Sequence, residues 1–148
     1  MNAFAIAAGP IDRAAFRDSL VDRGCGGYVQ FEGWVRDHNE GRAVVRLEYE
    51  VYEPLAVSEG ERILREAMER FGVQRAAALH RSGLLELTDL AVIVGVAAPH
   101  RGEAFEACRY IIDEIKSRLP IWKKEHYADG EAHWVRCDHC AAMPTTPR

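Results

Sequence analysis

Lys116, Lys123, Arg36, His100 and Arg101 are the side chains whose types and spacing could handle an anion. Lys116 falls one helical turn after Ile112 and beside Ile115, so it borders the apolar stripe of a helix rather than its open face. Desolvation or a cationic neighbour lowers a lysine pKa and makes the amine a proton shuttle or nucleophile near neutral pH. The bland reading is a snorkelling lysine whose stem packs while its charge reaches water. Beyond Pro120, the run Trp122-Lys123-Lys124-Glu125-His126-Tyr127 reads as a strand. Period two puts Lys123, Glu125 and Tyr127 on one face and Trp122, Lys124 and His126 on the other. Lys116 and Lys123 can then meet in one pocket across the Pro120 turn, unless the strand is an edge whose lysines only discourage aggregation. His100 and Arg101 sit where a strand hands over to a helix, and free backbone N–H groups there attract anions. Arg36 opens a polar loop and could be a second clamp, since a guanidinium donates two parallel hydrogen bonds to phosphate or carboxylate. His100, Arg101 and Arg36 equally suit a solvated surface.

Cys137-Asp138-His139-Cys140 has zinc-ligand spacing, but structural zinc takes four ligands. No second C-x2-C or H-x3-H follows, and Cys25 would have to come from the other end of the chain. No metal site is expected. Cys108 falls on an apolar helix face, so no disulfide framework is expected either.

The elements that must position these residues follow from periodicity. Asp12 to Arg23 reads as a first helix, with Asp12 as its cap and Gly24 as its stop. Tyr28 to Val35 and Val45 to Val51 read as strands, with Arg36 to Gly41 as an exposed loop between them. Ser58 and Glu61 have capping-box spacing before a second helix that runs to Gly72. Leu90 to Ala97 is a continuous apolar run, as in a strand buried on both faces. Phe105, Cys108, Ile111, Ile112, Ile115 and Leu119 form one stripe of the longest helix, which Pro120 ends. Trp122 to Tyr127 and Ala132 to Cys137 flank Asp129-Gly130, a hairpin signal. These elements describe one α+β or α/β domain over 1–148, with a loose tail from about residue 138.

With 148 residues, 48% of them hydrophobic and 28% charged, the chain suits a single globular unit. A formal charge of −4 argues against wholesale binding to a nucleic-acid backbone, so any cationic site must be local. No apolar run approaches a membrane span and the start lacks a signal-peptide pattern, so a cytoplasmic location is expected.

Several segments together resemble the MoaE family, the large, catalytic subunits of molybdopterin synthase. They are VRDHNEG at Val35 to Gly41, LEYEVYEPLA at Leu47 to Ala56, LHRSGLLELTD at Leu79 to Asp89, and PHRGEAFEACRYIIDEIKSRLPIWKKE at Pro99 to Glu125. The resemblance runs from about Ile11 to Val135. It implies an α/β hammerhead-like α+β fold with a small added antiparallel β subdomain. It also implies a homodimer, each copy of which binds a small ubiquitin-like carrier subunit, giving a heterotetramer. The carrier's C-terminal Gly-Gly thiocarboxylate would pass sulfur to cyclic pyranopterin monophosphate and build the dithiolene of molybdopterin. By motif, Lys116 matches the family's central catalytic lysine and Lys123 the lysine that supports transfer. Arg36, His100 and Arg101 match substrate-contacting positions; Trp34 and Val35 adjoin Arg36, and Lys124 and Glu125 continue the binding segment. Lysines and arginines could serve this chemistry without a metal or cofactor. Two departures stand out. Trp34 replaces a lysine common in the family, so stacking on the pterin would have to replace an anion contact. Thr88 replaces a usual glycine before Asp89, which bears on the turn's geometry. A non-catalytic module that docks a ubiquitin-like tail or an anion is the rival from another class.

Overall fold

The computed structural model describes residues 3–136; Cys137, Cys140 and the expected loose tail lie outside the described residues. The elements run β1 (Ala3–Ala7), α1 (Arg13–Asp18), β2 (Gly27–Trp34), β3 (His38–Asn39), β4 (Arg42–Val51), α2 (Glu53–Phe71), β5 (Arg75–Arg81), β6 (Gly83–Glu86), β7 (Leu90–Ala98), α3 (Arg101–Arg118), β8 (Ile121–Tyr127) and β9 (Ala132–Arg136). This is the α+β architecture that the sequence predicts.

One sheet has the order β1-β5-β7-β2, with β1 parallel to β5 and the other pairs antiparallel. Every residue of β7 is buried, as its unbroken apolar run requires for a strand covered on both faces. The main core gathers Ile63, Leu64 and Ala67 of α2 and Ala104, Ala107, Cys108, Ile111 and Ile115 of α3 against this sheet. On the opposite face, Phe16 and Leu20 meet Ala77, Leu90 and Ile93. Gly95 permits that contact, since a Cβ there would stand 2.6 Å from Leu20 Cδ1 and 2.8 Å from Phe16 Cε2. The second sheet is antiparallel throughout, ordered β3-β4-β8-β9, with β6 also on β4. Among the described residues no helix is long and apolar enough to cross a membrane.

Several boundaries differ from the sequence reading for local reasons. α1 keeps its Asp12 cap, which accepts from the Ala15 N–H at 3.1 Å, but stops at Asp18 instead of Arg23. There Ser19 Oγ donates to the Phe16 carbonyl at 2.6 Å, closing the last turn. α2 starts at Glu53, with Pro54 in its first turn where no N–H is needed. Ser58 therefore lies inside the helix, and Glu61 caps nothing; its carboxylate accepts the Phe4 N–H at 3.1 Å and ties β1 down. Gly72 ends α2 at φ 66°, the left-handed stop its position predicts. The loop expected over Arg36 to Gly41 is in part a tight hairpin: His38–Asn39 pairs with Arg42–Ala43 around Glu40 (φ 49°) and Gly41 (φ 82°). β8 lies between β4 and β9, so Lys123 is on an internal strand and the edge-strand explanation falls away.

Candidate functional site

A cavity of about 230 Å³ opens where the C-terminal half of α3 meets the second sheet. Lys116 enters from α3, Lys123 and Glu125 from β8, Tyr49 and Leu47 from β4, Arg36 and Asn39 from the β2–β4 connection, and Trp34 from the end of β2. The sheet register explains the grouping. Tyr49 pairs with Lys123 and Leu47 with Glu125, so all four share one face. A register irregularity between Gly33 and Trp34 turns Trp34 outward at the rim, 63% exposed, and buries Val35 at 2%.

Glu125 is the hub. It is 2% exposed, yet its carboxylate has a partner on each oxygen. Asn39 Nδ2 donates to Oε2 at 2.8 Å, Tyr127 Oη donates to Oε1 at 2.6 Å, and Lys123 Nζ lies 3.5 Å from Oε2. Burial, and then the hydrogen bond to this carboxylate, push the Tyr127 phenol up to about 12, so it stays a donor. Arg36 Nη2 donates to Asn39 Oδ1 at 3.2 Å, linking the loop arginine to the same hub. Behind the cavity wall, His80 is 1% exposed, with its ring 5.0 Å from that of Tyr49 in an edge-on contact. Burial first, and then the positive charge of Lys116, bring the imidazole down to about 3. His80 is therefore neutral, with Nδ1 2.8 Å from the Arg81 carbonyl, which requires the Nδ1–H tautomer.

Lys116, Lys123, Arg36, Glu125 and Trp34 thus come together as site candidates, while four others lie elsewhere. Val35 packs in the main core, and both its backbone groups are engaged: its N–H donates to Asp89 O, and its carbonyl accepts from Thr88 N–H. Lys124 points to the other face of β8, its Nζ 5.6 Å from the Trp134 ring centroid. His100 and Arg101 are exposed at the N-terminus of α3 and line a separate groove with Gly26 and Pro99. Fifteen helical residues separate Arg101 from Lys116, about 22 Å at 1.5 Å each. Within one chain the two ends of α3 line different cavities. The sequence reading missed Asn39, Tyr49, His80 and Tyr127. Alternation along β4 was the signal for Tyr49, and the turn-prone Asn39-Glu40-Gly41 run was the signal that Asn39 is held in a hairpin.

The fold is thus an α+β scaffold with two lysines, an arginine and a buried carboxylate around one small cavity. Residues 6–118 match the MoaE protein family, and the chain belongs to that family. It is 49% identical over 113 residues to the molybdopterin synthase catalytic subunit of Pyrococcus abyssi, covering 76% of each chain. It is 45% identical over 124 residues to the subunit of that name from Oryza sativa subsp. indica, covering 84% of this chain and 64% of the rice protein. Its fold is similar to that of the molybdopterin synthase structure from Staphylococcus aureus, with a TM-score of 0.83 and 36% identity over 88% of this chain and 94% of that one.

Proposed function

We propose that this chain is the catalytic subunit of a molybdopterin synthase. It takes sulfur from the C-terminal thiocarboxylate of a small ubiquitin-like carrier and adds it to cyclic pyranopterin monophosphate, forming the dithiolene of molybdopterin. The observation that carries the reading is the convergence of Lys116, Lys123 and Arg36 from three different segments on one cavity. Three cations around a small volume suit a cyclic phosphate that opens to a terminal one, and a carrier tail that leaves as a carboxylate. Lys116 and Lys123 are the groups within reach of the reacting carbons and of the thiocarboxylate, and Arg36 clamps the phosphate. Trp34 at the rim offers an exposed aromatic face for the pterin ring.

The working form is a cytoplasmic heterotetramer with a homodimer of this chain at its centre. That arrangement gives His100 and Arg101 a role: too far from Lys116 in their own chain, they serve the anionic substrate in the cavity of the second copy. The test is reconstitution with thiocarboxylated carrier and cyclic precursor. Lys116→Ala should bind the carrier as the unaltered protein does yet form less than about one hundredth of the molybdopterin, in line with loss of a positioned acid–base group. Near-normal turnover by that variant would sink the assignment. Carrier binding without product by the unaltered protein would favour a docking module instead.

A further inference from the structure

We propose that Asn39 is a positioning residue whose neutral amide stands between Arg36 and Glu125, so that the Arg36 charge stays available for an anion in the cavity. This deepens the proposed function and rests on it. The amide is used at both ends: Nδ2 donates to Glu125 Oε2 at 2.8 Å, and Oδ1 accepts from Arg36 Nη2 at 3.2 Å. Among the described residues no carboxylate pairs with Arg36, although a buried one lies a single side chain away. Were Arg36 to reach Glu125 directly, the guanidinium and carboxylate would form a two-pronged pair and cancel each other. Instead the Glu125 charge is directed at Lys123, 3.5 Å from the same Oε2, and at the Tyr127 hydroxyl, 2.6 Å from Oε1.

An amide donates to a carboxylate from its NH2 and accepts from a guanidinium at its separate oxygen, and it carries no charge of its own. A carboxylate at position 39 would repel Glu125 and capture Arg36, and an alkyl group would hold neither. The backbone that carries Asn39 is itself fixed. Asn39 faces Arg42 across the two-residue turn, and Arg42 Nη2 reaches Asp129 Oδ2 at 2.8 Å and Glu131 Oε1 at 2.9 Å in the β8–β9 turn. The Arg42 guanidinium also lies 3.7 Å from the Tyr127 ring centroid, so the hairpin is clamped to the strand that bears Lys123 and Glu125.

The test is steady-state kinetics of the reconstituted enzyme at saturating carrier, varying cyclic pyranopterin monophosphate between about pH 5.5 and 8.5, for Asn39→Asp and Asn39→Ala. At pH 8 Asn39→Asp should raise KM about tenfold or more, with a smaller fall in kcat, because the phosphate loses one charge-assisted partner. On acidification the introduced carboxyl takes up a proton, which restores a donor toward Glu125 and an acceptor toward Arg36. The deficit should therefore shrink several-fold by pH 5.5. Asn39→Ala should show a raised KM without that acid recovery, and it alone decides the matter if Asn39→Asp does not fold. The proposal is overturned if Asn39→Asp has the unaltered KM at pH 8, if its deficit does not vary with pH, or if Asn39→Ala leaves KM unchanged. Failure of the unaltered protein to form product would overturn the function itself, and this inference with it.

Discussion

His80 should make the protein's stability fall with acid well before its carboxylates titrate. The imidazole is 1% exposed, and burial and Lys116 bring it down to about 3 from an ordinary value of 6.5. The unfolded chain therefore binds a proton below pH 6.5 that the folded chain refuses until about pH 3. The sign follows: stability is full above pH 6.5 and is lost as pH falls, levelling off near pH 3. The limiting slope is about 1.4 kcal/mol per pH unit, so moving from pH 7.5 to pH 5 removes about 2 kcal/mol through this one group. That is a large share of a typical total of about 5 to 15 kcal/mol. The assay is urea unfolding at both pH values, comparing the unaltered protein with His80→Asn, whose amide can replace the Nδ1–H bond to Arg81 O and does not titrate. The variant should be less stable at pH 7.5, because it leaves space in the core, but the gap should narrow by about 2 kcal/mol at pH 5. Parallel pH dependences in the two proteins would refute the reasoning, since they would mean that His80 binds its proton alike in the folded and unfolded chains.

Two further outcomes follow from single residues. Thr88 holds φ 68° in the turn before β7, its N–H donating to Val35 O at 2.7 Å, so a β-branched residue bears left-handed strain of about 1 to 2 kcal/mol. Thr88→Gly relieves that but frees the unfolded chain by about 0.4 to 1 kcal/mol, so a denaturant midpoint should show net stabilisation of about 1 kcal/mol. Arg42→Met removes the clamp to Asp129 and Glu131, whose side chains are more than half exposed and screened by water, so the denaturant midpoint should barely move. Substrate KM should nonetheless rise at least about twofold, because a looser hairpin holds Arg36 and Asn39 less well; an unchanged KM would show that the hairpin needs no clamp.

Elements with a strong single period were legible, and those built from small residues were not. The stripe from Cys108 to Leu119 and the run from Leu90 to Ala97 predict α3 and β7, because burial on one face or on both leaves a different period, but Phe105, expected on that stripe, is 60% exposed and Ala104 and Ala107 take the buried face instead. Arg75–Arg81 is different: three alanines carry no strand preference of their own, and the segment is a strand because β1 and β7 flank it. β1 is five residues long and is extended for the same non-local reason. For the site, period two along β8 correctly separates Lys123 and Glu125 from Lys124, and the Pro120 turn does bring Lys116 and Lys123 to one cavity. The distance from Arg101 to Lys116 was implicit in helix length alone. The link between Asn39 and Glu125 was not, because it joins positions 86 residues apart through a register that no local pattern records.

α3 ends at Arg118 and β8 begins at Ile121, so only Leu119 and Pro120 separate a rod with one angular period from a ribbon with another. That joint sets the phase between them. Adding or removing one residue there, with the geometry of the joint kept, would slide β8 one place along β4 and flip the ribbon. Lys124 and His126 would then face the cavity, and the Glu125 carboxylate would face the outer surface. Changes of residue type at the joint leave the phase intact; changes of length do not. Over evolutionary time this short connection should therefore hold its length, unlike an ordinary surface loop, which tolerates insertions and deletions.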